Sequence, residues 1–221
     1  MRRLKIFTVR FMSLEKILKK IKEEALKKDE VRQEIQMIAR KIIRLSKQAI
    51  FLAHKDKINE AEALLKEASI NLNKLNEMSK TYPNLTGITD SAFEEYSEAQ
   101  IFINLIKNGT FIDPKKIDVP SECYVLGLAD VIGELRRRSL DLIRKGHVES
   151  AEENLNIMET IYIEITSYDE LLLLVSGLRR KCDVARRIIE ATRGDVTTEV
   201  RRMVLNNAMK KLEEALKSKM K

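Results

Sequence analysis

The stretch EIQMIARKIIRLSKQAIFL, residues 34–52, sets Ile35, Ile38, Ile42, Leu45, Ala49 and Leu52 at alternating steps of three and four. That is the spacing of one face of an α-helix. Arg40, Arg44 and Lys47 fall on another face, so the segment is an amphipathic helix that packs in a bundle and shows a basic strip outward. The pattern spreads in both directions. The 7 glycines and 3 prolines cluster between long runs of Leu, Ile, Lys, Glu and Ala, and the period-two alternation of strands is almost absent. We expect helices over 14–28, 30–54, 57–80, 86–108, 122–145, 147–164, 168–193 and 197–219, with ends good to about 2–4 residues.

The joints carry their own chemistry. TYPNLTG (81–87) stops one helix at a proline. Gly109, Gly146 and Gly194 are expected to close three others, and Ser121 to supply a capping oxygen to the helix that follows. INEAEALLKEA and VESAEENLNIM resemble helical-repeat pairs but lie too far apart for a solenoid of ~33–45-residue units. The fold class is therefore all-α: a single-domain bundle of about seven long, mostly antiparallel helices. We place that domain at 13–221, with Ser13 as its first cap, and read 1–12 as a short basic N-terminal extension.

The chain has 221 residues, 41 Lys+Arg against 34 Asp+Glu, and a formal charge of +7. A chain of this length buries a core without staples, and the basic balance favours an anionic partner. Two cysteines and two histidines, with no C-x-x-C pair, exclude a zinc module and a disulfide scaffold. His54 and His147 read as ordinary helix-end or core-edge histidines. The basic start MRRLKIFTVRFMSLEKILKK never forms the apolar run of a signal peptide or membrane span, which leads us to expect a cytoplasmic protein with no membrane partner.

Against this background four acids stand out. In EEYSEAQIF (94–102), Glu95 shares a helical face with Ala92, Ala99 and Phe102, and Glu98 with Ile101, Phe102 and Leu105. In YVLGLADVIGELRRR (124–138), Asp130 and Glu134 sit four apart, flanked by Gly127 and Gly133. Carboxylates held against apolar surface need a cation. Each glycine costs about 1 kcal/mol in a helix interior relative to alanine, so a neighbouring helix or a substrate must come close enough to compensate. If the two helices pack antiparallel, the four acids converge into an oxygen-only site suited to Mg²⁺ or Mn²⁺. Such a site can activate water for in-line displacement at a phosphodiester. Arg40, Arg44, Lys47, Arg136 and Arg137 are candidates for phosphate contacts, and Phe93, Tyr96 and Phe102 for base stacking.

SKQAIFLAHK (46–55), EEYSEA (94–99), YVLGLADVIGELRRRSLDLIRKG (124–146) and TRG (192–194) together resemble the translin superfamily, and more closely its translin-associated factor X (Trax) branch. The resemblance spans about Arg32 to Gly194. It implies long antiparallel helices assembled into barrel-like oligomers, often octamers, around a central cavity. It also implies that Glu95, Glu98, Asp130 and Glu134 form a Mg²⁺-dependent endoribonuclease centre facing that cavity, with single-stranded RNA as substrate and single-stranded DNA as a further ligand. Eukaryotic Trax carries a long insertion where residues 108–120 are short here. That brevity resembles an archaeal Trax-like protein that forms a homo-oligomer. The alternative is a translin-like protein that binds single-stranded RNA or DNA without cutting it, and a third option is a helical scaffold whose acids pair with its own arginines.

Overall fold

In the computed structural model, which describes residues 2–82, 87 and 89–219, the expected all-helical bundle is present. Among the described residues the order is α1 (Arg2–His54), α2 (Ile58–Thr81), α3 (Asp90–Asn108), α4 (Pro114–Ile117), α5 (Ser121–Lys145), α6 (Val148–Thr166), α7 (Asp169–Leu174) and α8 (Leu178–Lys219). The 34–52 pattern holds: Ile35, Ile38, Ile42, Leu45 and Ala49 are buried, and Leu52 packs on the same core. Tyr96, Phe102, Ile132, Leu135, Met158 and Leu178 fill the centre from α3, α5, α6 and α8.

Several boundaries differ from expectation for local reasons. The helices expected at 14–28 and 30–54 are one, because nothing between Arg2 and His54 is Pro or Gly. Asp29 directs its carboxylate to Gln33, a turn away, rather than to a cap. Position 13 therefore lies inside α1, and so does the division expected after residue 12, although side chains 1–13 are outside the described residues. Helix α2 ends at Thr81, and Pro83 also lies outside the described residues. Gly109 (φ 67°) and Gly146 (φ 84°) terminate α3 and α5 in the left-handed conformation. Gly194 does not terminate a helix, for α8 runs through it. The break falls instead at Val175–Gly177, where Gly177 takes φ 85° and the leucine-rich α7 stays short. Ser121 is the first residue of α5, not its cap; Pro120 precedes it and no side chain caps the helix.

Short turns make antiparallel neighbours of α1 and α2, where Lys41 pairs with Glu67 and Lys74 with Glu34. Helices α3 and α5, joined by the α4 crossover, run the same way. Gly127 meets Glu94, Ser97 and Glu98, while Glu98 further along α3 faces Asp130 and Glu134 further along α5. The four acids face one cleft, and they do so from parallel helices rather than from the antiparallel pair expected. Residues 14–30 of α1 and 204–218 of α8 are exposed and stand clear of this core. Among the described residues no helix is long and apolar enough to cross a membrane.

Candidate functional site

Where α1, α3 and α5 meet, a cleft of about 560 Å³ is lined by Glu95, Glu98, Asp130 and Glu134, with Lys47, Ile50, Phe51 and Arg137 around them. The approach of the two acid-bearing helices depends on Gly127. A Cβ there would lie 2.6 Å from the Glu94 carbonyl oxygen, 2.8 Å from Ser97 Cβ and 2.9 Å from the Glu98 nitrogen. No other residue permits that crossing, so this glycine is accounted for by helix packing. Gly133 differs: nothing lies within 4 Å of its would-be Cβ, and no neighbouring helix closes on it.

Each acid has a distinct environment. Glu95 is paired with Lys47 at 3.0 Å. Asp130 shares the Lys181 ammonium of α8 with Glu94. Glu134 accepts a 2.5 Å hydrogen bond at Oε2 from His54 Nε2 and stands 3.8 Å from Arg137. Glu98 has neither hydrogen bond nor ion pair among the described residues. Burial, then repulsion from Asp130, Glu134 and Glu95, lifts its carboxyl to about 8, with Lys181 opposing. Asp130 is also raised, chiefly by burial, despite Lys181. For Lys181 burial acts to lower its pKa, but the hydrogen bonds and charges of Asp130 and Glu94 outweigh it and raise it.

The oxygen-only donor set and the unpartnered Glu98 carboxyl suit a hard divalent cation such as Mg²⁺ or Mn²⁺. Lys47 and Lys181 are ion-paired with Glu95 and Asp130, and His54 is hydrogen-bonded to Glu134. Among the described residues no three of His, Cys, Asp and Glu are drawn together in ligating positions. The chemistry fits such an ion, and binding one requires those partners to give way.

The basic candidates separate. Lys47 and Arg137 line the cleft, while Arg40 and Arg44 lie along α1 beside Lys47, in an adjoining groove. Arg136 turns the other way. It donates to Thr192 Oγ1 at 2.8 Å and pairs with Asp195 at 3.1 Å, so it staples α5 to α8 and is not placed to meet phosphate. The stacking candidates Phe93, Tyr96 and Phe102 are 3%, 2% and 0% exposed and belong to the core. Three participants escape sequence reasoning. Glu94 is adjacent to Glu95 in the chain but is not singled out by its spacing, and Lys181 lies far away in the chain. His54 reads as an ordinary core-edge histidine, and its place at the end of the SKQAIFLAHK segment is the available signal. Its ring is packed 5.0 Å from that of Phe102.

Comparison with known proteins agrees with this architecture. The Translin family profile matches residues 30–216. An uncharacterized protein of Methanocaldococcus jannaschii is 35% identical over 192 residues, covering 86% of this chain and 85% of its own length. Among solved structures, AfC3PO in complex with duplex RNA superimposes with a TM-score of 0.74 at 34% identity, over 84% of this chain and 98% of that one. Apo-NeC3PO does so with a TM-score of 0.75 at 26% identity, over 82% and 96%. A profile match over most of its length, joined to the same helical architecture, makes this chain a member of the Translin family.

Proposed function

We propose that the chain is a Trax-like, divalent-metal-dependent endoribonuclease that cleaves single-stranded RNA within a homo-oligomer of octameric or similar size. One observation carries this reading: four acids from two helices line a single cleft, and Glu98, the most electrostatically stressed of them, lacks any protein partner among the described residues. Similarity to AfC3PO, whose complex contains duplex RNA, supports RNA as the ligand class.

Glu95, Glu98, Asp130 and Glu134 would hold Mg²⁺ or Mn²⁺, which when bound supplies Lewis acidity and an activated water for phosphodiester hydrolysis. The protein's own groups have separate tasks. His54 fixes the orientation of the Glu134 carboxylate from behind. Lys181 holds Asp130 and Glu94 in register. Lys47 and Arg137, both more than half exposed, stand where a phosphate enters and can turn from carboxylate to phosphate as RNA arrives. Hydrolysis by a water nucleophile has no need of the ribose 2′-hydroxyl, so single-stranded DNA is expected to bind as well. We place the protein in the cytoplasm.

A second reading has its own observation. Three of the four acids are already ion-paired or hydrogen-bonded within the chain, which suits a translin-like binder of single-stranded RNA or DNA that performs no turnover. Incubating end-labelled single-stranded and duplex RNA with the protein in Mg²⁺ or in EDTA separates the two. Cutting of the single strand in Mg²⁺ alone, lost in the double variant Glu95→Gln/Glu98→Gln while a gel shift persists, supports the nuclease. Intact RNA in every lane with a salt-sensitive gel shift supports the binder. Loss of folding together with activity in the double variant would make the acids structural.

A further inference from the structure

Phe51 is a large apolar ring left 47% exposed in a row of cations. Arg40, Arg44, Lys47 and Phe51 follow one another along α1 at steps of three and four, so they share a face, and Lys55 lies in the turn just past the helix end. A groove of about 460 Å³ runs along that face past Arg40, Arg44, Lys47 and Phe51. Lys47 and Phe51 also line the carboxylate cleft, so groove and cleft meet at these two residues. The Lys55 ammonium lies 4.3 Å from the centroid of the Phe51 ring. Phe51, Tyr82, Phe111 and Tyr168 are the exposed aromatic rings among the described residues, and Phe51 alone of them lines the cleft.

We propose that Phe51 is a nucleobase platform: a base of single-stranded RNA stacks on its exposed ring at the cleft mouth while Arg40, Arg44 and Lys47 take the adjoining phosphates along the groove. The proposal rests on the RNA-binding part of the function proposed above. A solitary exposed phenylalanine is commonplace and by itself signifies little. Here three observations bear on one ligand. The groove is cationic, as a polyanion requires. Its aromatic ring is unburied, as stacking requires. Its end opens onto the acids, so a stacked nucleotide would hold the next phosphate beside them. The Lys55 ammonium beside the ring makes a cation–π contact and would be free to pair with a phosphate once a base displaces it. Stacking is tolerant of sequence, so the site favours an unpaired base over a particular one.

The chain contains no tryptophan, so the full-length variant Phe51→Trp carries a single fluorescent reporter. It is titrated in EDTA with short oligoadenylate and with an abasic oligomer of equal length and charge, alongside anisotropy measurements on the unsubstituted protein and Phe51→Ala. Oligoadenylate is expected to quench the tryptophan strongly, and the abasic strand to bind with little quenching. Phe51→Ala should weaken oligoadenylate binding by about 5- to 150-fold, the usual worth of one stacked base, and leave abasic binding unchanged. Equal oligoadenylate affinities of the unsubstituted protein and Phe51→Ala, or unquenched emission from the Phe51→Trp variant under saturating oligoadenylate, would overturn the platform while leaving RNA binding intact. Tryptophan emission that responds to dilution and not to oligoadenylate would assign the face to a second copy of the chain, which also overturns it. No binding of either strand by the unsubstituted protein would remove the RNA reading itself.

Discussion

His54 Nε2 lies 2.5 Å from Glu134 Oε2, joining the last turn of α1 to the middle of α5. An ionised carboxylate can only accept, so the imidazole carries its proton on Nε2 toward Glu134. The His54 side chain is 4% exposed and its Nδ1 is buried without a partner, so this single contact is the ring's whole hydrogen bonding. His54→Ala should cost about 1–3 kcal/mol by removing the hydrogen bond to the partly buried Glu134, which keeps only the longer ion pair with Arg137. His54→Gln, which restores an N–H donor, should recover part of it. Urea unfolding of both variants is the check, and equal losses would mean that ring packing on Phe102, not the hydrogen bond, is what matters.

Glu98 makes stability fall as pH rises. Its carboxyl titrates near 8 in the folded chain against 4.5 for an ordinary glutamate. Between those values the folded state holds a proton that the unfolded state has released, so the native state binds more protons and unfolding becomes easier with increasing pH. The contribution is fully present below the unfolded value and is lost as pH climbs through the folded one. The melting temperature in EDTA should therefore decline from about pH 5 to about pH 8. Glu98→Gln should flatten this slope and raise the melting temperature at the alkaline end. An unchanged slope in the variant would show that other groups set the dependence.

The fold is legible because helical periodicity is a local property. Ile35 to Leu52 announce the core face of α1 without knowledge of any other element, and Gly109 and Gly146 announce helix ends because a left-handed residue is a local demand. Gly194 misleads because glycine permits a helix end without requiring one. The site is half legible. Two pairs of acids at helical spacing beside apolar residues are visible in a string of letters, and so is the pressure on Gly127. Which side chains partner them is not, since Lys181 reaches Asp130 across 51 residues and His54 reaches Glu134 across 80. Arg136 and Arg137 are neighbours in sequence, yet the helix turns one toward α8 and the other toward the cleft.

Lys181 acts as a resident cation between Asp130 and Glu94. Lys181→Met keeps the aliphatic bulk and removes the charge, leaving two carboxylates to repel each other in a partly buried place. We expect a loss of about 1–3 kcal/mol in EDTA, typical of a charged hydrogen-bonding partner deleted from such a site. Millimolar Mg²⁺ should then raise the melting temperature of the variant more than that of the unsubstituted protein, because a divalent ion no longer competes with an ammonium for Asp130. Equal responses to Mg²⁺ in thermal denaturation would argue against a divalent ion at this pair.

Gly127 and Gly133 should respond oppositely to the same substitution. Both lie within α5, where alanine is intrinsically better than glycine by about 1 kcal/mol. At Gly133 the added methyl meets nothing within 4 Å, so Gly133→Ala should stabilise the chain by up to roughly that amount. At Gly127 the methyl would meet the Glu94 carbonyl at 2.6 Å and the Glu98 nitrogen at 2.9 Å, backbone atoms that cannot rotate away. Helix α3 must then retreat from α5, at a cost of about 1–3 kcal/mol for overpacking. The retreat moves Glu95 and Glu98 away from Asp130 and Glu134, so Gly127→Ala should also depress Mg²⁺-induced stabilisation even where the protein remains folded. Chemical denaturation of the two variants with and without Mg²⁺ tests this, and a neutral Gly127→Ala would mean that the close crossing of α3 and α5 is not what places the acids.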